Sequence, residues 1–293
     1  MEKQREITLK IIDKVLEMAN AISIQLNKEI RSSKINSFEA VISMLHKRIH
    51  SNVISIRAFV NDEKNLSPIA PSILYRAVAL DYMHLLYLKI LKLRYEGNSY
   101  KWKGTISEEF QNEINNLLND QLVRLYRDGY EMIGVEFETE KEYLDWVEGV
   151  KLNLPKEYHH ITKDTKGFDY PNPTKLFRIL KSNLPSDEFN NNLKKIWSFY
   201  SMYSKIDHFG IVSVMLERKS LDHFIKELRL AMLFVHDAVS IVGVEFMQVE
   251  SFAKMWIDAS DYLAKVEDDS FAVGIEVESP QRGTSEDLER KAR

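Results

Sequence analysis

The residues that interrupt a helix are scarce in this chain, and they fall between its apolar segments. Of 293 residues, only 10 are Gly and 7 are Pro. Most lie outside the stretches in which apolar residues recur every three or four positions. A chain punctuated so sparsely lacks the turns that a many-stranded sheet needs, and its apolar period is helical. The expected fold is all-α: a multi-helix bundle of about nine helices, followed by a disordered acidic C-terminal tail.

The first helix is read from Lys3 to Ser32, with Ile7, Ile11, Ile12, Val15, Met18, Ile22 and Leu26 on one stripe. The second opens near Ser37. Ser67-Pro68 and Ala70-Pro71 suit the first turn of a third, because Pro gives up no helical hydrogen bond there, and Gly97 suits its end. Thr105-Ile106-Ser107-Glu108 and Thr139-Glu140-Lys141-Glu142 carry the capping-box pattern and open a fourth and a fifth helix. A short helix over Thr174–Lys181 is followed by a longer one capped by Ser186. Two more span 220–245 and 250–266. Residues 1–266 are expected to form a single helical domain, whose two halves would divide at the aperiodic surface loop 158–173. Residues 267–293 read as the tail.

Composition removes several functions. With no cysteine there is no disulfide, thiol nucleophile or Cys-ligated zinc. A net charge of −4 gives no overall footprint for nucleic acid. The most apolar stretch, Leu230–Val244, is too short to span a bilayer and carries His236 and Asp237. The N-terminal segment has no apolar signal core, so a cytoplasmic protein without a membrane partner is expected. No P-loop, Gly-x-Gly-x-x-Gly or Gly-x-Ser-x-Gly occurs, so nucleotide-binding and hydrolase motifs are lacking. No cofactor and no metal are expected. His46-x-x-x-His50 has a ligand-like spacing, but Lys47 and Arg48 lie between and no acid accompanies it, so it reads as a solvated face. Asp81-x-x-His84 is half of a di-iron pattern whose second half is missing.

Two segments are apolar nearly all round and should run through the centre of the bundle. There the polar residues are the informative ones. Ile73–Leu93 carries Arg76, Asp81 and His84, the last two on one face. Leu228–Val244 carries Arg229, His236, Asp237 and Ser240. Since a buried charge needs a partner, the expectation is that Arg76 pairs with Asp237, or Arg229 with Asp81. The alternative is a semi-buried polar pocket joined by Tyr203, Ser204 and His208 from a helix end.

Ile73-Leu74-Tyr75-Arg76 ahead of a long apolar helix, with Tyr203-Ser204-x-x-x-His208 later, resembles a family of bacterial all-helical domains that has no assigned activity. Where that family has Glu four residues after the Arg, this chain has Leu80, with Asp81 beside it. With no activity to transfer from that family, the expectation is an interaction or regulatory module with a buried Arg/Asp/His polar cluster. A second, more distant resemblance is to the HEPN ribonucleases of toxin and phage-defence systems. It rests on an Arg followed at short range by a His: Arg218 with His223, and Arg229 with His236. It implies metal-independent RNA cleavage at the interface of a homodimer, with the His as general base and the Arg stabilising charge on the phosphorus centre.

Overall fold

A computed structural model describes residues 2–32, 37–61, 69–97, 106–128, 133, 136–152, 156, 159–166, 171–183, 187–204, 221–247 and 249–271. Within them lie nine helices: α1 (Glu2–Ser32), α2 (Ser37–Asn61), α3 (Ile69–Glu96), α4 (Glu108–Asp128), α5 (Glu140–Leu152), α6 (Pro173–Asn183), α7 (Asp187–Ser204), α8 (Leu221–Phe246) and α9 (Val249–Phe271). The only β feature among the described residues is an isolated bridge between Ile133 and Phe137. The all-α expectation therefore holds. The final helix runs to Phe271, into the segment read as tail; 272–293 lie outside the described residues.

Local chemistry accounts for the helix ends. Gly97 closes α3 with φ of 67°, a left-handed conformation that costs glycine little. Ser107 caps α4: its Oγ accepts from the Phe110 N–H at 3.3 Å, and its own N–H donates to Glu96 at 2.7 Å, while Thr105 lies outside the described residues. Thr139 caps α5 by accepting from the Glu142 N–H at 3.2 Å, while the Glu142 carboxylate reaches back to the Glu138 N–H at 2.8 Å. Asn172 caps α6 through the Lys175 N–H at 2.9 Å.

The apolar stripes determine the packing. Ile11, Ile12, Val15, Met18, Ala19 and Ile22 of α1 are fully buried, as are Ile42, Ile49, Val53 and Ile56 of α2. The two helices run antiparallel: Arg5 donates to the Val60 carbonyl at one end, Asp13 pairs with Arg57, and Ser23 meets His46 near the other. α3 packs against α2, α4, α6, α7 and α8, and α8 packs against α1, α2, α3 and α9. These two are the helices without a polar side, and central burial follows from that. α8 and α9 approach so closely that a Cβ on Gly243 would lie 2.1 Å from the Phe252 ring.

A second, smaller core lies apart from the main one. Leu122, Val123 and Tyr126 of α4, Tyr143 and Val147 of α5, and Ile161 form it. Ile161 belongs to the stretch read as a surface loop, yet it is fully buried. No helix of the described residues is long and apolar enough to cross a membrane.

Candidate functional site

The polar residues of the two central helices are distributed over several helix contacts. Asp81 is fully buried on the side of α3 that faces α2, where Arg48 comes within 3.0 Å of its Oδ1. The approach lacks hydrogen-bond geometry, and neither carboxylate oxygen has a hydrogen-bond partner. Burial raises the Asp81 carboxyl to about 7, with Arg48 pulling it back. His84, one turn on, is lowered to about 4 by burial and then by Arg48. Arg48 and His84 help line a pocket of about 50 Å³ with Val41, Leu45, Tyr87, Leu88 and Leu117.

The expected cross-bundle ion pairs do not form. Asp81 takes Arg48 instead, because its side of α3 meets α2 and not α8. The Arg229 side chain is only 5% exposed, and its Nε donates to Thr8 Oγ1 on α1 at 3.3 Å. Asp237 is half exposed and accepts from the Tyr82 hydroxyl at 3.3 Å. Arg76 lies with its guanidinium carbon 5.8 Å from the centroid of the Tyr200 ring. Tyr203 is fully buried, edge-on to Tyr75 and Phe199. Burial, reinforced by the nearby Glu227 of α8, raises both Tyr203 and Tyr75 above the usual phenol range. Ser204 Oγ donates to the Ser201 carbonyl at 2.9 Å. His208 and Arg218 lie outside the described residues, and so does the side chain of His223.

His236 is 5% exposed and sits between two groups that sequence reasoning did not join to it. Its Nε2 lies 3.3 Å from Ser260 Oγ, and its Nδ1 lies 3.6 Å from Asp237 Oδ1. Hydroxyl, imidazole and carboxylate thus follow the order of a nucleophile, base and orienting acid. Catalysis needs more. The Asp237 contact is longer than a hydrogen bond. Ser260 lies mid-helix, where neighbouring backbone N–H groups are already bonded and cannot form an oxyanion hole. The imidazole also has little opening to solvent.

A histidine read as solvated is in the core. His46 is fully buried, with Nε2 3.1 Å from the Ala19 carbonyl and 3.0 Å from Ser23 Oγ. His50 Nδ1 is 3.3 Å from the same hydroxyl. A carbonyl can only accept, so His46 Nε2 carries the proton, and Ser23 is free to donate to His50. Burial lowers His46 to about 4. The spacing could have shown this: His46 lies four residues after Ile42 and three before Ile49, within the buried stripe. Arg48, Ser23, Ser260 and Glu227 had no comparable signal, since each is defined by the helix opposite.

No group of three His, Asp or Glu side chains suited to a metal ion occurs among the described residues. Comparison with family models, with curated proteins and with solved structures gives no match.

Proposed function

We propose that the chain works as a helical interaction or regulatory module rather than through a catalytic centre made of its polar residues. The observation that carries this reading is how those residues are used. Asp81 is held by Arg48, Arg229 by Thr8, Asp237 by Tyr82, and His46 by Ser23 and Ala19. Each pair belongs to a different helix–helix contact, so a single reacting atom is not within reach of several of them. Each of these contacts joins two helices, which is a structural task.

The test is RNA integrity. The purified chain, incubated with structured and unstructured RNA in the presence of EDTA, is expected to leave the RNA intact. Cleavage that disappears in an Arg218→Ala/His223→Ala variant would overturn the reading in favour of a metal-independent nuclease of HEPN type, built from two copies of the chain. Arg229 and His236 are poor candidates for that chemistry, because both are buried.

A further inference from the structure

We propose that the outward face of α5 is a docking site for a Lys/Arg-rich peptide segment of a partner protein; this rests on the interaction reading and gives it a place and a chemistry. α5 buries Tyr143, Val147 and Lys151 against the smaller core. Among the described residues no helix lies over its other face, which carries two exposed apolar side chains: Trp146 is 44% exposed and Leu152 is 70% exposed. Trp146, Gly149 and Leu152 follow at three-residue steps, which places them in one row across that face. A Cβ built on Gly149 meets nothing within 4 Å, so the glycine leaves a notch between indole and leucine. The indole is backed by Phe137 at 5.5 Å and Tyr143 at 5.9 Å, so it is held in place as one wall.

The charge around this notch selects the occupant. Glu142 and Asp145 are exposed beside it. Between residues 136 and 148 the chain has six acids and one lysine. A neutral apolar partner would cover the indole only by stripping water from carboxylates that it could not pair. Nucleic acid would be repelled. A Lys or Arg side chain meets both demands: its aliphatic stem fits over Gly149 and Leu152, and its cation reaches the indole face and the Glu142 and Asp145 carboxylates. Trp and Arg are also both enriched among the residues that anchor protein interfaces.

The experiment measures fluorescence anisotropy of a fluorescein-labelled oligoarginine peptide titrated with the full chain, with an oligoglutamate peptide as control. Binding of the basic peptide alone is expected, weakening as salt rises. Trp146→Ala, Asp145→Lys and Gly149→Lys are each expected to weaken it ~10-fold. Asp261→Lys, the same charge change on α9, is expected to leave it unchanged. Gly149→Lys guards against misfolding, because Lys favours a helix more than Gly does and the space is open. Equal loss in Asp261→Lys, or no loss in the three α5 variants, overturns the site. So does dimerisation of the chain that Gly149→Lys abolishes, since the occupant would then be a second copy. Failure here with RNA left intact removes only the docking site; RNA cleavage removes the reading beneath it.

Discussion

The guanidinium of Arg48 on α2 lies 3.0 Å from a carboxylate oxygen of Asp81 on α3, and the two side chains differ in exposure, 57% against 0%. The cation keeps most of its water while the acid has lost all of its own. Burial therefore outweighs attraction at Asp81, and its carboxyl stands at about 7 against an ordinary 3.8. In that interval the folded chain holds a proton that the unfolded chain has released. The stability from this group is complete below the unfolded value and is lost as pH rises through about 7. Asp81→Asn keeps the shape and removes the charge. Above neutral pH it is expected to be more stable than the parent by ~1 kcal/mol or more, with the difference vanishing near the unfolded value. Thermal unfolding at both pH values checks this; a less stable variant above neutrality would mean that the ion pair outweighs burial.

The histidines act with the opposite sign. His46 and His84 are both lowered to about 4 from 6.5, chiefly by burial. The unfolded chain takes up protons at these positions before the folded one does, so stability is full above 6.5 and falls as pH drops toward 4. His46→Gln is expected to flatten this acid limb, and Asp81→Asn to steepen it by removing the opposing slope. Urea midpoints across the interval measure both slopes, and an unchanged limb in His46→Gln would place the acid sensitivity elsewhere.

Gly243 and Phe252 give a prediction against the usual trend. In an exposed helix interior, Gly→Ala gains about 1 kcal/mol. Here the new methyl would lie 2.1 Å from the Phe252 ring. Gly243→Ala is therefore expected to cost ~1–3 kcal/mol through overpacking. Adding Phe252→Leu should recover part of the loss in the double-mutant cycle, and simple additivity of the two changes would refute the contact.

Ser260 tests the hydroxyl–imidazole–carboxylate row. If its contact with His236 is structural, Ser260→Ala should cost only ~1 kcal/mol, the net worth of a typical hydrogen bond. A fluorophosphonate probe should label parent and variant alike. Labelling confined to the parent would show a working nucleophile.

Periodicity and punctuation made the fold legible. The stripe of α1 and the all-round apolarity of α3 and α8 correspond to observed burial, and Gly97 ends α3 where a glycine should. Pairing was not legible, because a helix sequence states which residues share a face but not which helix covers it. Asp81 and Arg229 were correctly sensed as costly to bury, yet their partners, Arg48 and Thr8, come from helices whose rotation no spacing rule supplies. His46 is the opposite case: the core stripe passes through it, and the charged neighbours Lys47 and Arg48 masked that signal.

α4 has one end in each of the two cores. Phe110, Ile114 and Leu117 pack with the bundle, while Leu122, Val123 and Tyr126 pack with α5 and Ile161. A helix of 21 residues is a stiff rod about 30 Å long. Leu117, near the middle of that rod, borders the space beside Arg48 and His84. One helix therefore borders both the smaller core and the space beside the charged contact.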